Sequence, residues 1–255
     1  MYQGKQGYFS AASRAIPWLA GIGFGLLAFA AKAEATPQHE AVRETRDKLT
    51  FAVYRAAGQT SYDANVRRKF GDFVAWIGGY YDPHGPSQAR AGAEYDLERN
   101  RVLVVPSLQL ASNGFVQVSV YAELGGTTHA IVGYSRTNLK EYDTITFDPN
   151  DSAQLGVGRI LRDGGRIDLF TIVDVRLGTH QQNTHVIWRQ PFGSGNRATL
   201  DALYKSGNAD SGAFVRGVGV TLTIDRPRWF VRLAYDPYVN FSADTMVRLG
   251  GGVRF

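Results

Sequence analysis

The sequence contains no cysteine, which excludes disulfides, thiolate-held metals and a cysteine nucleophile. It also lacks a glycine-rich phosphate loop ahead of a helical stretch and any histidine pair at a spacing such as His-x-x-x-His. No cofactor and no metal are therefore expected. Beyond residue 35 there is no apolar run approaching the roughly 20 residues that a membrane-crossing helix needs. That leaves a periplasmic protein, a secreted protein or a membrane β-barrel. Charge of one sign is not in large excess: the formal net charge is +5, and Lys5, Arg14 and Lys32 against Glu34 carry part of it near the start. The remaining chain is only mildly basic, and no nucleic-acid partner is expected.

What is present begins with a segment built for export. Residues 1–14 are polar with Lys5 and Arg14, Ala15 to Ala31 is apolar, and two small-residue sites follow, Ala31-Lys32-Ala33 and Ala33-Glu34-Ala35. This is the order of a secretory signal. The run is nearly long enough for an uncleaved anchor, but Pro17, the glycines and the tandem sites favour cleavage, giving a signal peptide over 1–35. Residues 36–47 are polar and open with Thr36-Pro37, a short periplasmic lead-in. From residue 48 to 255 the helical period gives way to apolar and polar residues alternating in stretches of about ten. In Phe115 to Leu124, Val116, Val118, Val120, Ala122 and Leu124 share one face and Gln117, Ser119, Tyr121 and Glu123 the other.

A soluble sandwich also alternates, and three features point instead to an all-β, antiparallel, up-and-down transmembrane barrel. The last stretch alternates through Thr245, Val247, Leu249, Gly251 and Val253 up to Phe255, and this resembles the C-terminal assembly signal of bacterial outer-membrane β-barrel proteins. The resemblance implies a cell outer-membrane location in a Gram-negative bacterium, with the barrel assembly machinery and lipid, including lipopolysaccharide, as partners. Fourteen strands can be placed between 49 and 255, with twelve as the alternative, and either even count puts both ends at the periplasmic rim. Finally, Tyr95, Trp188, Trp229 and Phe255 fall near that rim and Tyr81, Tyr134, Tyr204 and Tyr235 near the outer one, as two aromatic girdles require.

On this alternation the inward face is crowded with charge of both signs, including Arg90, Glu94, Asp168, Asp174, Lys205, Arg232, Asp236 and Arg248. An ion-paired, filled lumen and an open solute path both fit. Local sign imbalance would favour the path, and Arg232 with Arg248 on the last two strands is the candidate, because paired cations in a wet lumen attract anions. Arg216 is the outward exception, placed to reach lipid headgroups near the outer rim. Glu123, His129 and Ser119 could meet at the periplasmic end, while His84, His180 and His185 fall at or near outer loops. The Ser112-Asn113-Gly114 stretch resembles outer-membrane phospholipases, but Leu110 stands where that family has histidine, so the base is missing. The long connection Thr137 to Ser152, with Asp143, Asp148, Asn150 and Asp151, is expected as an exposed acidic loop. An inward constriction or a calcium site is the alternative. Three functions remain open: a narrow porin-like channel for small solutes, a non-enzymatic structural, assembly or export-machine barrel, and an outer-leaflet lipid hydrolase.

Overall fold

The computed structural model describes residues 47–142, 148–209 and 211–255. The proposed signal segment and nearly all of the lead-in, together with Asp143 of the long loop, lie outside the described residues. The strands are β1 (Asp47–Ala56), β2 (Gln59–Phe70), β3 (Phe73–Tyr81), β4 (Ser87–Tyr95), β5 (Leu97–Arg99), β6 (Val102–Ala111), β7 (Val116–Gly125) and β8 (Thr128–Thr137). They continue as β9 (Ser152–Ile160), β10 (Arg166–Asp174), β11 (Gln182–Phe192), β12 (Asn196–Asn208), β13 (Phe214–Asp225), β14 (Trp229–Asp236) and β15 (Met246–Arg254). Segments β4 and β5 flank Asp96 and both pair with β6, so together they form one barrel strand and the wall has fourteen. Every neighbouring pair is antiparallel, and β1 pairs with β15 from Lys48 opposite Arg254 to Ala56 opposite Met246, which closes the ring.

Closure leaves no sheet edge, as a bilayer demands, since an unpaired backbone group in hydrocarbon costs several kcal/mol. The alternation then sorts side chains between two solvents. On β1, Leu49 and Phe51 are exposed on the outer surface, whereas Ala52 and Tyr54 are buried inside. On β7 the exposed set is Val116, Val118, Val120 and Leu124. Apolar residues cover the exterior of almost every strand, far beyond the few hundred Å² of contiguous apolar surface that a water-soluble monomer presents. The exterior is therefore a lipid face, and the polar residues are inside. Asp47 and Phe255 exchange backbone hydrogen bonds of 3.1 and 3.0 Å at one rim, where the short turns also lie.

Several inward side chains stand directly opposite a glycine on the next strand. Trp76 faces Gly92, Phe170 faces Gly156 and Phe230 faces Gly252. At Gly92 and Gly252 the ring occupies the space that a Cβ would need, and at Gly156 the Cβ of Phe170 does. Asn65 opposite Gly78 and Gln154 opposite Gly133 repeat the arrangement with amides. Large groups thus lean along the wall instead of projecting to the axis, and the glycines, which cost strand stability, are offset by the ring laid over them.

Candidate functional site

The interior is filled in two places. Near the end that holds Phe255, Arg166 donates to Glu123 at 2.7 Å and to Asp168 at 2.8 Å, and Arg189 also pairs with Asp168. His129 lies 3.6 Å from both carboxylates. Gly158, between His129 and Asp168 on the three adjacent strands, has no side chain to hold them apart, and a Cβ there would collide with both. Ser119 shares a 2.5 Å hydrogen bond with Ser107. Among the described residues it has none with His129. At the opposite end, Lys205 and Asp236 form a 2.6 Å ion pair with both side chains fully buried, and Lys205 also donates to the Tyr238 carbonyl. The segment after β14 turns inward there, burying Val239 and Phe241, and Tyr54 and Met246 pack beside it.

The connection between β8 and β9 corrects the expectation of an exposed acidic loop. Asp148 reaches into the lumen and accepts hydrogen bonds of 3.0 Å from Asn183 and from His185 Nε2, whose Nδ1 side meets Asp201 at 2.9 Å. Asp151 is buried, held by the Thr137 amide and hydroxyl at 2.9 and 2.6 Å. On the other side of the ring the Tyr142 ring packs on Phe115, with centroids 4.6 Å apart, and its hydroxyl accepts from Arg90. Tyr142 thus lies by β4 and Asp148 by β11. Turn-forming residues marked a loop, but its fate was set by partners distant in sequence. Burial would raise the Asp148 carboxyl, but the hydrogen bonds and charge of His185, then the Asn183 bond and the Lys205 charge, outweigh it and hold it below the ordinary carboxylate range. Burial pushes the Tyr142 hydroxyl up.

His185 is likewise not on a surface loop: it faces inward on β11 and is buried. His84 is exposed beyond β3 and accepts no role there beyond its amide bond to Asp82. No group of three histidine, aspartate or glutamate residues placed to hold a metal occurs among the described residues. Ser112 accepts the Ala89 amide at 3.2 Å, and Leu110 is exposed on the lipid face, so nothing at this turn acts as a base.

Of the charges singled out for a path, Arg90 pairs with Asp63, Glu94 with Arg67, and Asp168 with two arginines. Asp174 pairs with Arg176 at 2.6 Å at the outer end of β10. Arg232 differs. It donates to Thr223 Oγ1 at 3.1 Å and has no carboxylate partner among the described residues. Arg248 lies diagonally across from it, where Arg232 faces Gly250 and Arg248 faces Ala234, and its guanidinium lies 5.9 Å from the Tyr54 ring. A third cation completes the set: Lys48 on β1, 4.7 Å from the Phe230 ring, with no carboxylate in ion-pair contact among the described residues and under the repulsion of Arg254, Arg232 and Arg67, which the Asp225 carboxylate opposes from farther off. Alternation along Lys48, Thr50, Ala52 and Tyr54 marks Lys48 as inward, but it stands at the strand's first turn and is missed when strands are started a residue later. In this column Arg254 pairs with Asp225 at 2.6 Å and Arg67 with Glu94.

Between the two fillings lies a cavity of about 560 Å³. Its wall carries Asn65, Trp76, Gln109, Tyr121, Gln154 and the paired Asp63 and Arg90.

No protein-family model and no curated protein matches the sequence. Among solved structures, the outer membrane protein Omp33 of Acinetobacter baumannii matches at 11% identity over 83% of this chain and 99% of its own, with a TM-score of 0.60. Weaker likenesses are the NanC porin (10% identity, 81% of this chain and 100% of that one, TM-score 0.45) and the KdgM porin (10%, 82% and 99%, TM-score 0.42). The Omp33 likeness is one of fold.

Proposed function

We propose that this chain is an outer-membrane channel for small solutes whose periplasmic half favours anions. One observation carries the reading: Arg248, Arg232 and Lys48 descend three adjacent strands into the lumen, and Arg232 and Lys48 lack carboxylate partners among the described residues. A purely structural barrel gains nothing from clustered like charges, which cost stability unless water or counter-ions screen them. The two fillings support a path that slants: the outer filling leans on β12, β14, β15 and β1, and the inner one on β7 to β11, so each blocks the half that the other leaves open. Tyr142 and Asp148 line the cavity between them.

The apolar exterior and the Omp33 fold support an outer-membrane location in a Gram-negative cell. Residues 1–35 then serve as a cleaved signal and 36–47 as a periplasmic lead-in. The assembly machinery recognises the strand that ends in Phe255. Arg216, exposed near the outer end of β13, meets phosphate of outer-leaflet lipid, including lipopolysaccharide.

The test is reversal potential in planar bilayers under a KCl gradient. Wild-type channels prefer chloride at 0.1 M salt, and Arg232→Glu with Arg248→Glu, or Lys48→Glu alone, shifts the preference toward potassium. The difference fades near 1 M, where the Debye length falls to about 3 Å. Inserted barrels that pass no current at any salt concentration would leave the structural reading in front.

A further inference from the structure

Resting on the channel reading, we propose that the cavity between the two fillings binds a neutral, polyhydroxylated solute, a small saccharide or sugar alcohol, through the Trp76 indole and the Asn65 and Gln154 amides. The charge at this level is spent: Arg90 is paired with Asp63, and Asp148 with His185. A charged solute would gain no net Coulomb energy there and would lose hydration. The amides are in the opposite condition. Neither the Asn65 nor the Gln154 side chain has a hydrogen-bond partner among the described residues, and both line the cavity. A side-chain amide offers two donors and one acceptor with two lone pairs, which matches hydroxyls that each donate and accept.

The wall geometry suits such a ligand. Asn65 Nδ2 lies 3.0 Å, and Gln154 Oε1 2.9 Å, from where a Cβ on the facing glycine would stand. The amides are therefore held low against the wall at fixed positions, with their remaining valences open to the cavity. Trp76 leans over Gly92 in the same way, its Nε1 2.7 Å from the corresponding point, and it offers an apolar surface beside those polar groups. A saccharide ring carries C–H bonds on its faces and hydroxyls around its rim, so it can lie on the indole while the rim reaches the amides. Gln109 and Tyr121 line the wall between Trp76 and Gln154, their polar groups turned to Tyr142 and Glu123. The volume of about 560 Å³ lies within the several hundred Å³ typical of small-ligand sites.

The experiment is single-channel KCl current in the presence of glucose or maltose, with potassium gluconate as the charged comparison. Maltose and glucose should interrupt the wild-type current in a concentration-dependent way. Gln154→Ala should raise the half-blocking concentration roughly three- to tenfold, the usual worth of one hydrogen bond, and Trp76→Ala should raise it further. Asn65→Ala supplies an independent variant should Trp76→Ala fail to assemble. A barrel that conducts KCl but is not interrupted by either sugar overturns this inference and leaves the channel standing. So does a barrel that gluconate blocks more strongly than glucose, with Gln154→Ala leaving both unchanged. Absence of any KCl current overturns the channel itself, and this inference with it.

Discussion

Lys205 and Asp236 are the residues whose removal should cost the fold most. Both side chains are fully buried at 2.6 Å, so Lys205→Met strands a buried carboxylate, with a penalty of about 3–5 kcal/mol. Lys205→Met combined with Asp236→Leu should recover most of that loss, because neither charge is then left alone. Urea unfolding in lipid vesicles measures both, and equal losses in the single and double variants would refute the pairing argument. Asp148 answers to pH. Its carboxyl is held below its ordinary value by His185 and Asn183, with Asp201 and Lys205 as the other charges about it. A lowered folded value means that the stabilisation is complete above about 3.8, the ordinary aspartate value, and is lost only as pH falls through the lowered one. The difference in urea midpoint between wild type and Asp148→Ala should therefore stay constant from pH 7 to 5 and shrink only in stronger acid.

At the scale of the element, Gly158 is what lets β8, β9 and β10 bring His129 and Asp168 together. Gly158→Val has to displace two buried polar groups and should cost about 1–3 kcal/mol by overpacking, read as a lower urea midpoint, while Gly126→Ala, at the neighbouring turn, should not. On β15, removal of Phe255 should cut the yield of assembled barrel far more than it lowers the unfolding midpoint of barrels that do fold, since the ring is exposed and has little packing to lose. Strands such as β7 and β15 were legible in the sequence because their two faces meet different solvents, so alternation must persist for the whole crossing. The break at Asp96 between β4 and β5 and the inward course of the loop before β9 left no such trace. Asp148 finds His185 on β11, and Tyr142 finds Phe115 ahead of β7 and Arg90 on β4. Nothing local to residues 138–151 encodes that. Trp76 was hidden for the related reason that its use depends on a glycine on another strand.

For the whole molecule, the mature chain is expected to fractionate with outer membranes, to begin near Glu34 or Thr36, and to migrate differently on gels before and after boiling. Recovery as a soluble periplasmic protein would remove the basis for the channel and for its solute site. The seam between β1 and β15 adds a constraint on time. Lys48 cannot meet Arg254 until the last strand joins, so any sheet that forms before then has two open edges, each able to pair with another strand. Distant pairing of this kind also folds slowly. The ring therefore has no gradual route to completion: its final hydrogen bonds form in one late event, and until then safety from misassociation must come from whatever holds the edges apart.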